Sequence, residues 1–409
     1  MPPSVETSTT LVNNSKITKI INGRILKNGQ IVENDYLWIR EGKFVDPAQL
    51  FYEENSSPDE IIDARGALVV PGFIELQLNG AYGVDFTGDY QTIEEGLKKV
   101  SKAILDQGVT SYCPTIVSSF PNVYERVLPA LVPRKGCVEE GAEILGAHLE
   151  GPFMSDLKYG AHDVNTLRDA KKGITDLESV YGNLDNHNKA ISLITVAPDV
   201  DGMLDAIPEL AKRVPCVSLG HTAALTTVAE EGVRRGAKMV THLFNAMNQF
   251  HHRDPGCIGL LGSSLERPFY GIICDGVHVH PNSVKIAYYS HPKGACLVTD
   301  AMAAAGLAEG SYTLGKMNVE VKGKKITIAG TDTIAGSNVK MYECVQNFKQ
   351  FTGCTTVEAI EAATLHPAQV LGIENRKGTL NNGADADFLF LDDDLNLLRL
   401  FINGQEAQL

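Results

Sequence analysis

Positive charge is scarce in this sequence. Across 409 residues, 36 Lys and Arg stand against 50 Asp and Glu, a formal charge of -14. That balance argues against nucleic acid or an anionic membrane as the main partner. It leaves room for a small anionic substrate, because one local basic group outweighs a distant net charge. No apolar run is long enough to span a bilayer. The opening stretch, "MPPSVETSTTLVNNSK", lacks the apolar core of a secretory leader, and residues 1–15 are expected to form a disordered tail. The 8 cysteines include no Cys-x-x-Cys pair, which suits buried thiols in a reducing cytosol better than a disulfide framework. A cytoplasmic protein with no membrane partner is therefore expected.

Two patterns are present. The ends of the chain carry short alternating apolar runs broken by Asn-Gly and Glu-Gly turns, as in "ITKIINGRIL" and "EIIDARGALVV" near the start. "GADADFLFLDDDLNLLRLFINGQ" repeats this style at the other end. Isolated strands need partners, so residues 16–70 and 374–409 are expected to form one small β-sandwich domain. Between them, residues 71–373 alternate strand-like runs with helical segments. Eight such runs end in "QLN", "IVS", "HLE", "APD", "GHT", "HLFN", "DGVH" and "VTD". Eight βα units in a row predict a TIM-type (β/α)8 barrel. A hairpin-like insert, "YTLGKMNVEVKGKKITIAG", follows the eighth, and two helices over about 338–371 are expected to close the barrel.

In such a barrel the chemistry lies at the C-terminal ends of the strands. Gln77 and Asn79 end the first, Glu150 the third, His221 the fifth, His242 the sixth, His278 the seventh after Asp275, and Asp300 the eighth. Singly, each has an ordinary alternative: a hydrogen-bonded loop His, an N-capping Asp, a Glu paired with Lys or Arg. Together they converge. Two His and one Glu with an open fourth position form a known catalytic zinc set, so Glu150, His221 and His242 are read as ligands of one divalent metal. Zinc suits them, and Co, Fe or Mn would also bind. Such an ion makes hydroxide available at neutral pH. Asp300 is then the general base and later acid, and His278 polarises a carbonyl. These parts suit metal-dependent hydrolysis of an amide.

At these residues the sequence resembles the amidohydrolase superfamily through "VVPGFIELQLNG", "ATLHPAQVLGI" and "KGTLNNGADADFLFLD". Within it, "HLEGPF", "SLGHT", "THLFNAMNQFHHRDPG", "CDGVHVHP" and "LVTDAM" resemble the N-acetylglucosamine-6-phosphate deacetylase family. Most superfamily members end strand one with His-x-His and bind a second metal with a carboxylated Lys on strand four. Here strand one offers Gln77 and Asn79, candidates only for a weak second metal or a water, and strand four has no Lys. The resemblance implies a phosphorylated amino sugar as substrate, contacted by His162, and Arg253 reaching the phosphate of the neighbouring active site in a homodimer. Backbone amides of Asn245 and Ala246, at the start of a helix after His242, are candidates for anion binding. Met302 and Ala301 are candidate walls of an acetyl pocket, and His251 and His252 have no assigned role. The competing readings are another amidohydrolase acting on a cyclic amide or nucleobase, and a non-catalytic scaffold.

Overall fold

The computed structural model describes residues 16–53, 55–88, 93–187, 189–314, 317–331 and 334–408. The tail expected over residues 1–15 lies outside them.

The eight expected central strands are Phe73–Leu78, Val109–Val117, Ala147–Glu150, Ile191–Val196, Cys216–Leu219, Met239–Val240, Phe269–Ile272 and Ala295–Leu297. Each pairs in parallel with the next. The seam between the eighth and the first is closed by a parallel bridge, Leu78 to Ala301, with the Asp300 N–H donating to the Gln77 carbonyl at 3.0 Å. The result is a TIM-type barrel.

Strand alternation sorts the barrel side chains. Ala147, Leu149, Val217, Leu219 and Val240 join the large core shared with the surrounding helices. Leu193, Cys216 and Met239 form an apolar floor with Ala368, Val370 and Leu371 of the helix Leu365–Leu371. That helix plugs the barrel, and its His366 Nδ1 lies 2.7 Å from the Ala295 carbonyl.

Both chain ends build one further sheet. Its hydrogen-bonded path begins at Gln405–Ala407 and runs through Leu397–Ile402, Phe388–Leu391, Leu68–Pro71, Ile17–Lys27 and Gln30–Arg40 to Lys43–Val45. The path folds over on itself. The ring of Phe44, near one end, lies 5.7 Å from that of Phe388 and tilted by 53° to it, and the Phe44 N–H donates to Ala384 O at 2.9 Å. Both flanks share a core of Ile20, Ile39, Phe44, Val69, Phe388 and Phe401.

The helical details differ from the sequence expectation in three places. Three helices, not two, follow the insert: Met341–Thr352, Thr356–Glu361 and Leu365–Leu371. Gly353 ends the first in the left-handed region (φ 76), and Thr355 with Glu358 opens the second through a capping box. The sixth strand is followed only by a 3-10 stretch, Gly256–Gly262, because its glycines and the preceding Pro255 disfavour a longer helix. The insert is a four-stranded antiparallel sheet spanning Gly310–Ser337 rather than one hairpin.

A buried ion cluster ties the barrel to the terminal sheet. Lys377 Nζ lies 2.8 Å from Glu143 and 3.3 Å from Asp385 and also pairs with Asp387; all four side chains are at most 8% exposed. Arg376 adds contacts to Glu143 at 2.5 Å and Asp385 at 2.7 Å. Removing the central cation leaves buried carboxylates under-compensated, so Lys377→Met is expected to cost about 3–5 kcal/mol. Urea unfolding tests this; an unchanged midpoint would show that the cluster adds no net stability.

Candidate active site

Polarity rises up the inside of the barrel. Above the apolar floor lies a hydroxyl and imidazole layer. His148 Nε2 is 2.7 Å from Thr195 Oγ1, which is 2.7 Å from Thr241 Oγ1, itself 2.6 Å from Ser218 Oγ. The fit is tight: a Cβ on Gly220 would lie 2.7 Å from Thr241 Cβ. The next residues upward are the expected ligands.

Glu150, His221 and His242 do meet. Glu150 Oε1 is 3.2 Å from His221 Nε2 and 3.0 Å from His242 Nε2, and the two nitrogens are 3.0 Å apart. All three residues are buried. His221 Nδ1–H donates to the Lys158 carbonyl at 3.0 Å, which leaves the Nε2 lone pair facing inward. Two imidazole nitrogens and a carboxylate oxygen at this spacing fit three ligand atoms around one divalent cation with bonds of about 2.0–2.2 Å. Burial alone would raise the Glu150 pKa, but the two imidazoles in contact with it hold it well below the usual carboxylate range. The Gly-Pro turn after Glu150 is anchored as well. Tyr124 and Tyr181 hydroxyls both donate to the Gly151 carbonyl at 2.9 Å.

Asp300 stands beside this trio. Its Oδ1 accepts from Asn79 Nδ2 at 2.7 Å and from Gln77 Nε2 at 3.2 Å. Gln77 Nε2 also donates to Glu150 Oε1 at 2.8 Å. The amide nitrogens, which cannot bind a cation, thus face the two acids; Asn79 Oδ1 is buried without a partner. Burial, then the Glu150 charge, pushes the Asp300 pKa up to about 6. His278 Nδ1–H donates to Asp275 Oδ2 at 2.6 Å, and Asp275 Oδ1 accepts the Val277 and His278 N–H groups at 2.8 Å. The Asp275 pKa stays low despite burial, because His278 donates to it.

His162 lies beside the trio, its ring centroid 4.6 Å from that of His221. Its ligand atom falls within 4.8 Å of those of Glu150 and His221. Yet its Nδ1 accepts the Ser118 N–H at 3.2 Å, so Nε2 carries the proton and acts as a donor. Burial lowers its pKa to about 3. His242, at 3.0 Å from both other ligand atoms, is the better third ligand.

Asn245 and Ala246 do not begin a helix. The segment is a run of turns with φ of 25° at His242, 77° at Phe244 and 49° at Ala246, which excludes helical continuation. The Asn245 N–H is used within the turn, donating to His242 O at 2.9 Å. A helix-dipole site for an anion is therefore absent there. Met302 is drawn into the core of the insert with Ala304, Val319, Val321 and Ile326. Arg253 is exposed, and its Nη1 lies 3.0 Å from His252 Nε2; among the described residues it pairs with no carboxylate. His251 and His252 rings lie 4.5 Å apart on the same exposed loop.

Sequence reasoning passed over Glu75. It is buried in the first barrel strand, accepting from Gln77 N–H at 2.8 Å, Thr299 N–H at 2.9 Å and Thr299 Oγ1 at 2.6 Å. The signal was the period-two row Glu75, Gln77, Asn79 in an apolar strand. His148, between Leu76 O at 3.1 Å and Thr195, was also passed over.

Glu150→Ala and His242→Ala are expected to bring bound divalent metal from about one per chain to near none. Elemental analysis after dialysis measures this; full retention in both variants would reject the trio as the site.

The amidohydrolase family profile matches residues 68–407. The N-acetylglucosamine-6-phosphate deacetylase of Danio rerio is 47% identical over 97% of this chain and 98% of its own. That of Homo sapiens is 46% identical over 96% and 95% of the two chains. Among solved structures, a mutant N-acetyl-D-glucosamine-6-phosphate deacetylase from Mycobacterium smegmatis in complex with N-acetyl-D-glucosamine-6-phosphate matches with a TM-score of 0.81 at 28% identity, covering 96% of this chain and all of that one. A parallel barrel carrying its polar residues at the strand ends, matched over this length, makes the chain a member of the amidohydrolase family.

Proposed function

We infer that this chain hydrolyses N-acetyl-D-glucosamine 6-phosphate to D-glucosamine 6-phosphate and acetate, a step in amino-sugar salvage or catabolism. The observation that carries the reading is the meeting of Glu150, His221, His242 and Asp300 at one barrel mouth, in a chain 47% identical end to end to a deacetylase of that sugar phosphate.

Glu150, His221 and His242 hold one divalent ion, and the two-nitrogen, one-oxygen set favours zinc. When bound, the ion supplies Lewis acidity, which acidifies water and polarises a carbonyl oxygen. Asp300, oriented by Gln77 and Asn79, takes a proton from the attacking water. It then delivers that proton to the amide nitrogen as the C–N bond breaks, so the amino sugar leaves as an amine and the acetyl carbon as acetate. His278 presents Nε2 to the carbonyl oxygen. Its Nδ1–H is given to Asp275, which fixes the orientation of the ring. His162 offers its Nε2–H to a sugar oxygen. Arg253, unpaired with any acid among the described residues, suits the phosphate of a neighbouring active site in a homodimer. The 8 cysteines are free thiols, seven of them buried, which fits a reducing cytosol. No helix among the described residues is long and apolar enough to cross a membrane.

Acetate release from this substrate is expected to vanish on chelation and to return with about one divalent ion per chain. Metal-loaded protein that releases no acetate would overturn the reading. Asp300→Asn is expected to retain the ion and lose at least ~100-fold in kcat. The active form of Asp300 is the carboxylate, raised to about 6 by burial, so turnover should fall as pH drops through and below that value. An acid limb that persists unchanged in the residual activity of Asp300→Asn would assign the limb elsewhere. Arg253→Ala should raise KM for the phosphorylated sugar and spare kcat; an unchanged KM would reject its phosphate role.

A further inference from the structure

The peptide that carries Asp300 is held at every backbone polar group. The Thr299 N–H donates to Glu75 Oε2 at 2.9 Å, and the Thr299 carbonyl accepts the Ser337 hydroxyl. The Asp300 N–H donates to Gln77 O at 3.0 Å, and the Asp300 carbonyl accepts the Ser337 N–H at 3.2 Å. Such bracing has a purpose. Asp300 has φ 48°, a left-handed conformation that an L side chain adopts only at a cost. Without it the carboxylate would swing away from the ligand trio.

Glu75 is the least expected member of this clamp. It is 1% exposed, and both its oxygens act as acceptors. Oε1 takes the Gln77 N–H; Oε2 takes two donors of Thr299. One carboxyl group therefore straddles the barrel seam, fixing Thr299, just beyond the eighth strand and directly before Asp300, and the residue on the first strand whose side chain donates to Asp300. A buried carboxyl group is costly to keep, and an apolar residue would serve a merely packed strand. Burial pushes its pKa up to about 8, while its three hydrogen bonds act in the opposite direction.

We propose that Glu75 is a positioning residue for the deacetylation step: it aligns Asp300 and Gln77 against the ligand trio by clamping the first and eighth strands from beneath. The proposal rests on the reading of Asp300 as proton acceptor. It predicts a loss in the chemical step without a loss in substrate or metal binding.

The test compares the metal-loaded full chain with Glu75→Gln, Glu75→Asp, Thr299→Val and Asp300→Asn. For each, kcat and KM are measured on N-acetyl-D-glucosamine 6-phosphate, with metal content and Tm on the same samples. Glu75→Gln replaces one acceptor by an NH2 and is expected to lose roughly 10–100-fold in kcat. Its KM and its metal per chain should stay at the wild-type values, and its Tm above the assay temperature. Glu75→Asp keeps a carboxyl group and should recover part of that loss. Should Glu75→Gln fail to fold, Thr299→Val decides the matter. It removes the hydroxyl that donates to Glu75 and accepts the Ala301 N–H at 3.3 Å, and is expected to lose several-fold in kcat at unchanged KM. Wild-type kcat in Glu75→Gln, or in Thr299→Val where that variant decides, overturns the proposal, provided that the wild type is active and Asp300→Asn is not. Loss of metal or a raised KM in proportion to the kcat loss also overturns it. An inactive wild type, or an active Asp300→Asn, points instead to failure of the functional reading itself.

Discussion

One oxygen organises the barrel mouth. Glu150 Oε1 receives Gln77 from the first strand, His221 from the fifth and His242 from the sixth, all within 3.2 Å. A carboxylate only 2% exposed is stable there only if opposite charge and donors surround it. The barrel satisfies this by bringing separate strand ends to one point, which no local stretch of chain could do. The layered interior below, apolar at the floor and hydroxyl-rich above, makes the change from dry core to polar mouth gradual. Thr195, Thr241 and Ser218 in that layer each find a hydroxyl or imidazole partner within 2.7 Å.

The same point explains where strain is stored. His221, His242 and Asp300 all leave their strands with positive φ, at 48°, 25° and 48°. Three non-glycine residues in that region are held by surrounding contacts, not by intrinsic preference. His221 is fixed through Lys158 O and through its own carbonyl, which accepts the Ser155 N–H at 2.9 Å. The residue after His242 is fixed by the Leu243 N–H to Gly271 O bond at 2.7 Å. Asp300 is fixed by the first strand and by the insert. The insert sheet thus acts on the site indirectly: Met302 and Ala304, two and four residues beyond Asp300, lie in its core.

Much of this was legible in the sequence, and for a physical reason. Strand ends in a parallel barrel are forced to one face, so polar residues closing apolar runs reveal the site without any knowledge of angles. The trio, Asp300 and the His278–Asp275 pair follow from that rule alone. The failures were local. Phe244 and Ala246 gave no sign of their left-handed backbone, so a turn was read as a helix start. The Thr355–Glu358 capping box was visible in "TTVE" and was passed over, which merged two helices. Glu75 was hidden by its neighbours: an acid inside "FIELQL" was absorbed into the strand pattern, although its spacing from Gln77 placed it on the same row. Met302 was misjudged because its partners, in the insert, are remote in sequence.

The terminal sheet has a consequence for the order of synthesis. Leu68–Pro71 pairs with Phe388–Leu391, and Phe44 completes its packing only against Phe388. On a ribosome the strands from Ile17–Lys27 to Leu68–Pro71 can pair with one another as they emerge, but the Leu68–Pro71 edge that takes Phe388–Leu391 must wait while the whole barrel is translated. The barrel, by contrast, pairs neighbour with neighbour and can grow as it appears. Its last seam waits for the eighth strand, and the floor for the helix Leu365–Leu371. The terminal sheet is therefore complete only once the last strands have followed the barrel off the ribosome.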